Sequence, residues 1–143
     1  MTRLSYVIPA YNRAGVLAEA AESVLIQLRD GDEVVIVDDG SADDTPLVMR
    51  QLAARWGQRL QTITQPNGGP GAARNTGMAA ARGDWIGFLD SDDLLLPGAV
   101  EVARSHAARA VEALDRFPSG PGVDGLSAAA AHLVDSVEAA AAR

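Results

Sequence analysis

The chain has 143 residues, enough for one domain with its own core, and 48% are hydrophobic against 22% charged, as in soluble globular proteins. A formal net charge of -7 argues against electrostatic binding of nucleic acid, and the lack of cysteine excludes disulfides, thiolate zinc sites and cysteine nucleophiles. No apolar run approaches the ~18 residues of a membrane span, and Met1-Thr2-Arg3 leads into a strand without the form of a signal peptide. The expected location is cytoplasmic, with room in this composition for peripheral association at the cytoplasmic face of a membrane.

Leu4 to Ile8 reads as a short buried strand closed by Pro9. Apolar residues then recur at Val16, Leu17, Ala20, Ala21, Val24, Leu25 and Leu28, the spacing of an amphipathic helix with Asn12 as its cap. Glu33 to Val37 is a continuous apolar run of the kind buried on both faces of a parallel sheet, and it ends in Asp38-Asp39-Gly40-Ser41. Asp43-Asp44-Thr45-Pro46 supplies cap candidates and a first-turn proline for a second helix, with Val48, Leu52 and Trp56 inward. Leu60 to Gln65 is a weaker strand, followed by the glycine-rich loop from Pro66 to Gly71 and a small-residue helix from Ala72 to about Ala81. A strand at Asp84 to Leu89 and a helix opened by Pro97 follow, the latter with Val100, Ala103, Ala107, Ala110, Val111 and Leu114 on one face. Strand and helix alternate throughout, which means a Rossmann-like α/β fold of about four parallel strands with helices on both faces. Ligands of such sheets bind at the carboxyl ends of the strands, where Asn12, Asp39, the glycine loop and Asp92 all fall.

The fourth strand runs straight into Asp90-Ser91-Asp92-Asp93. Crowded carboxylates repel one another unless something positive sits among them. One reading is a divalent cation, because magnesium and manganese take oxygen ligands and bridge to phosphates. The other is a solvated acidic turn whose Asp side chains satisfy backbone donors or cap the next helix. On these residues alone the two readings are even.

Four blocks in order carry a resemblance: Val7-Ile8-Pro9-Ala10-Tyr11-Asn12-Arg13; Val37-Asp38-Asp39-Gly40-Ser41 with Asp44-Thr45; Gly69-Pro70-Gly71-Ala72-Ala73-Arg74-Asn75; and Leu89-Asp90-Ser91-Asp92-Asp93. Together they resemble the nucleotide-sugar-binding half of a family 2 glycosyltransferase of the GT-A fold, over roughly residues 3 to 115. The resemblance implies inverting transfer of a sugar from a nucleoside diphosphate, uridine favoured, to an acceptor hydroxyl on a saccharide, lipid or protein. It implies that Pro9, Ala10 and Tyr11 line the base pocket and that Arg13 reaches the nucleotide from the first helix. Asp39 would accept a hydrogen bond from the base, with Asp38 fixing the turn; Asn12 and Ser91 accompany these residues in their motifs. Arg74 would reach the donor sugar or its phosphates, Asp90 the ribose or sugar, and Asp92 a Mn2+ or Mg2+ ion. Asp93 is left without a firm role.

The family's general base lies in a second half, often in a Glu-Asp pair, and no such half follows Pro118. Asp124, Asp135 and Glu138 stand in a glycine- or alanine-rich tail, and none is assigned as the base. The expected organisation is a nucleotide-sugar-binding domain over 1–117, a Pro/Gly linker over 118–125 and an alanine-rich C-terminal helix over 126–143. The alternative to an enzyme is a truncated or non-catalytic nucleotide-sugar-binding module that needs a partner chain for activity. A lone half exposes the sheet edge that a second half would cover, which predicts association with a copy or a partner.

Plainer readings stand beside these. Pro9 and Asn12 also suit a strand end and a helix cap, and Asp39-Gly40 suits an ordinary turn. Gly69 to Arg74 departs from the dinucleotide pattern because Arg74 holds the last glycine position and the loop follows the third strand. Asp38 to Asp44 lacks the glycine placement and closing Glu of a calcium loop. His106 and His132 read as surface residues, Trp56 and Trp85 as packing, and Arg74 also suits a simple pair with nearby acid.

Overall fold

The structure is a computed structural model and describes residues 2–116. The expected linker over 118–125 and alanine-rich helix over 126–143 lie outside the described residues. The elements run β1 (Leu4–Ala10), α1 (Leu17–Leu25), β2 (Glu33–Asp38), α2 (Thr45–Trp56), a 3-10 turn (Gly57–Arg59), β3 (Leu60–Thr64), α3 (Pro70–Ala80), β4 (Trp85–Phe88) and α4 (Ala99–Leu114). All pairings are parallel and the order is β3-β2-β1-β4. The chain builds outward from β1 to β3, then crosses to the other side of β1 for β4. That reversal between β1 and β4 is the switch point at which α/β sheets open a crevice.

The period of two along each strand sorts the core into two layers. Tyr6, Ile8, Val34 and Ile36 face α1, α2 and α4, where Leu17, Val24, Leu25, Leu52 and Val100 meet them. Val7, Val35 and Val37 form a thinner layer with Ala73 of α3. Every residue of β2 is buried, as its unbroken apolar run requires. Each fully buried Leu, Ile or Val contributes roughly 1.5–3 kcal/mol, so the larger layer carries most of the stability. α3 sits close on the sheet because Gly77 has no side chain: a Cβ there would lie 2.2 Å from Val7 Cγ1.

Several boundaries differ from the periodicity. Asn12 does not cap α1: the cap position is Val16, with no side-chain cap bond, and Asn12 lies in the preceding loop at φ 51°. Arg13 is likewise in that loop and not on the helix. α2 buries Thr45, Met49 and Leu52, while Val48 and Trp56 pack half-buried at the rim of the core. Pro97 does not open α4; Gly98, in the left-handed region at φ 86°, ends a turn and the helix starts at Ala99. Val111 is 40% exposed instead of inward, and the buried face of α4 is Val100, Ala103, Arg104 and Ala107. Arg104 is buried because it pairs with buried Asp32 and donates to the Thr2 carbonyl at 2.6 Å, pinning α4 to the start of β1.

Candidate functional site

The loops after β1 and β2 are knitted together by side chains. The Asn12 N–H donates to Ser41 Oγ at 2.9 Å, and the Ala42 N–H donates back to Asn12 Oδ1 at 2.8 Å. The Arg13 N–H reaches Thr45 Oγ1 at 2.8 Å, and the Ala14 N–H reaches Asp43 Oδ2 at 3.1 Å. Asn12 is among the few residue types other than glycine that enter the left-handed region readily, and here the bond from the Ala42 N–H holds its side chain in place. Asp43 also accepts from the hydroxyl and N–H of Thr45, at 2.5 and 2.9 Å. Those bonds, the Thr45 side chain first, hold its carboxyl below the usual range.

The two carboxylates at the end of β2 have separate surroundings. Asp38 is buried and its Oδ1 accepts from the Ser41 N–H at 3.0 Å, fixing the turn. Asp39 is also buried and accepts three bonds: Gln65 Nε2 and the Gly68 N–H on Oδ1, both at 2.9 Å, and the Gly69 N–H on Oδ2 at 2.8 Å. The Gln65 amide, then the two glycine amides, lower its pKa. Gln65 is itself oriented by Thr76, whose hydroxyl donates to Gln65 Oε1 at 2.5 Å. One carboxylate thus ties the ends of β2 and β3 to the start of α3. Gly69, at φ 91°, gives α3 its sharp entry, and Pro70 fits the first turn because its missing N–H is not needed there.

Arg74, one turn into α3, reaches across to the segment after β4, where its Nη2 lies 2.9 Å from Asp90 Oδ1. The Asp93 N–H donates to the Asp90 carbonyl at 3.0 Å, which closes the acidic segment into a turn. Between these elements lies a cleft of about 530 Å3. Pro9, Ala10, Tyr11 and Arg13 line it from β1 and its loop, and Asp39 from β2. Arg74 lines it from α3, and Asp90, Ser91 and Asp92 from the turn after β4. Residues far apart in sequence therefore meet at one sheet edge, at the switch point. The positive N-terminal end of α3 faces the same cleft, an arrangement suited to an anion.

Residues 5–124 match the family Glycosyl transferase family 2. The chain belongs to that family. Among its relatives, the succinoglycan biosynthesis protein ExoO of Rhizobium meliloti (strain 1021) is 44% identical over 117 residues, 80% of this chain and 33% of ExoO. Chondroitin synthase of Escherichia coli is 44% identical over 99 residues, 69% of this chain and 14% of the synthase. The chain thus spans a third or less of the length of these relatives. Among solved structures, S. aureus TarS 1–349 in complex with UDP-GlcNAc superposes with a TM-score of 0.68 at 28% identity, covering 76% of this chain and 32% of that one. The mannosyltransferase PcManGT from Pyrobaculum calidifontis, in complex with GDP-Man and Mn2+, gives 0.67 at 28% identity, covering 72% and 31%. The four-stranded parallel sheet with its helices is a GT-A-like fold, shared with these structures.

Of the residues expected at the site, Asn12 and Asp38 do not line the cleft; they brace the loops around it. Arg13 lines it, although its Nη1 turns back on the Tyr11 and Asn12 carbonyls at 3.3 Å each. Asn67, Gly69, Pro70 and Ala73 also line it, residues to which the sequence assigns no role of their own, and Gln65 stands behind Asp39. The glycine loop and the motif block that follows it carry the first group; no local signal marks Gln65. Among the described residues no three acidic or histidine side chains come together to hold a metal ion by themselves. His106 is exposed on α4. No helix among the described residues is long and apolar enough to cross a membrane.

Proposed function

We propose that this chain is the donor-binding part of a glycosyltransferase that takes a nucleoside-diphosphate sugar, with UDP-sugar favoured, and transfers the sugar with inversion to an acceptor hydroxyl. The observation that carries this reading is the convergence of Asp39, Asp90 and Asp92, from the ends of β2 and β4, and of Arg74, from the first turns of α3, on one cleft, in a chain of family 2. In this reading Pro9, Ala10 and Tyr11 flank the base and Asp39 accepts from it. Arg74 leaves Asp90 for the diphosphate, because a guanidinium pairs with phosphate oxygens in charge-assisted bonds. Asp90 is then free for the ribose or sugar.

The donor set fits a magnesium or manganese ion: the exposed carboxylates Asp90 and Asp92 offer oxygen at the cleft, and such ions are held by one or two carboxylates plus substrate phosphates. When bound, the ion supplies Lewis-acid stabilisation of charge on the leaving diphosphate. Asp92 is the residue we assign to hold it. Acceptor and general base are assigned to no described residue, and transfer is proposed of the whole protein, of which this chain supplies donor binding. We place the protein in the cytoplasm or at the cytoplasmic face of a membrane.

Calorimetric titration of UDP with and without Mn2+, on this chain and on Asp92→Ala, tests the reading. Expected is binding strengthened by Mn2+, with that gain lost in the variant. Absence of nucleotide binding under every condition overturns it.

A further inference from the structure

The acceptor capacity of Asp39 is almost used up. An ionised carboxylate offers about four lone-pair positions, two per oxygen. Gln65 and Gly68 occupy both positions on Oδ1, and Gly69 occupies one on Oδ2. One acceptor position is left, on Oδ2, for whatever enters the cleft that Asp39 lines. Gly68 and Gly69 donate through the backbone, so their share is fixed by the loop. Gln65 alone donates through a side chain, and the Thr76 hydroxyl on Oε1 forces its Nε2 toward the carboxylate.

We propose that Gln65 is a specificity-determining residue: by filling Oδ1 it makes Asp39 a one-acceptor reader, so the cleft takes a base that offers a single imide N–H and rejects the adjacent N1–H and N2–H2 pair of guanine. Uracil presents one N–H between two carbonyls and needs one acceptor. Guanine presents two donors side by side and needs both carboxylate oxygens. With Oδ1 filled, the guanine amino group enters without an acceptor, and a desolvated donor left unpaired weighs against binding. Removing the Gln65 amide leaves one free position on each oxygen, the arrangement guanine requires.

This inference rests on the donor-binding reading above, and the probes separate the two. UDP, GDP and inosine diphosphate are titrated with Mn2+ into the protein and into Gln65→Leu, which keeps side-chain bulk and removes the donor. Inosine and guanine diphosphates have the same ring size and differ only in the 2-amino group, so their ratio isolates the second donor. In the unaltered protein UDP binds most tightly and GDP no better than inosine diphosphate; in Gln65→Leu, GDP gains on inosine diphosphate by about 10-fold, the worth of one charge-assisted bond. Thr76→Val, which releases the Gln65 amide from its anchor, moves the ratio the same way by a smaller factor, and Thr76→Ser restores it. These two variants carry the test if Gln65→Leu does not fold. UDP binding with an unchanged ratio in the variants, or GDP binding the unaltered protein as tightly as UDP, overturns this proposal alone. Binding of none of the three overturns the donor-binding reading with it.

Discussion

Arg74 and Asp90 face each other across the mouth of the cleft, joined at 2.9 Å with their side chains 39% and 54% exposed. A pair so open to water contributes about 0–1 kcal/mol to folding, so its placement matters for ligands more than for stability. Arg74→Ala should leave the urea midpoint almost unchanged, within the same small range. It should weaken UDP binding by roughly 10- to 100-fold, the loss of a hydrogen bond to a charged group. Calorimetry and a denaturation curve on the same preparation check both halves. A large loss of stability, or unchanged UDP affinity, would show that Arg74 serves only to hold Asp90.

Gly77 sits in the middle of α3, where alanine normally stabilises a helix by about 1 kcal/mol over glycine. Here the added methyl would lie 2.2 Å from Val7 Cγ1 and 3.3 Å from Val37 Cγ2, both of them buried β-branched side chains with little freedom to move. Overpacking of this kind costs typically 1–3 kcal/mol. Gly77→Ala should therefore lower the urea midpoint with an unchanged slope, against the propensity scale. Combining it with Val7→Ala should cost less than the sum of the two losses, because the cavity of one receives the methyl of the other. Additive losses would sink the explanation.

Much of this molecule is legible in its sequence, and the division has a physical basis. β2 declares itself because Val34 to Val37 are apolar in succession, and only a strand buried on both faces tolerates that. The convergence of Asp39, Arg74 and Asp92 follows from the alternation of elements, since every strand end of a parallel sheet lies on one edge. What local pattern cannot give is the identity of a partner far away in the chain. Asn12 has the chemistry of a cap, yet its side chain bonds Ala42, which only tertiary folding brings beside it. Gln65 is an unremarked polar residue until the sheet sets it beside Asp39. Arg104 looks like an exposed charge interrupting an apolar stripe, because Asp32 stands 72 positions earlier. Val111 continues that stripe but stays exposed, since the buried contacts of α4 end at Ala107.

The Arg104–Asp32 pair lies at the end of the sheet away from the cleft and is buried on both sides. Asp32 Oδ1 also accepts from the Leu4 N–H, and Oδ2 from the Arg29 N–H, each at 2.9 Å. Truncating one partner of a buried pair leaves the other charge uncompensated, at a cost of about 3–5 kcal/mol. Arg104→Met should therefore destabilise the protein by that amount in urea denaturation, while nucleotide affinity of the folded fraction stays within about 3-fold of the unaltered protein, as for a site with no shared partners. A loss below about 1 kcal/mol, as for exposed pairs, would mean that water replaces the guanidinium.

Glu33 gives a pH-dependent counterpart. Burial, the largest influence on its carboxyl, raises the pKa; the donors from Arg82, Gln61 and Ser5 together outweigh it and hold the group below its ordinary 4.5. Its Oε1 accepts from the Arg82 N–H at 2.6 Å and Ser5 Oγ at 2.8 Å, and its Oε2 from Arg82 Nη2 and Gln61 Nε2, both at 2.7 Å. A depressed carboxyl contributes stability that is complete above its unfolded value and is lost as pH falls through its folded value. The stability Glu33 provides is thus present at neutral pH and fades below about 4.5. Glu33→Gln should melt well below the unaltered protein at pH 7, and the gap should shrink as the pH is taken down through 4 toward 3. Other depressed carboxyls, such as Asp39 and Asp84, are common to both proteins and drop out of the difference. A gap that keeps its size across that range would mean that shape, not charge, is what Glu33 supplies to the network.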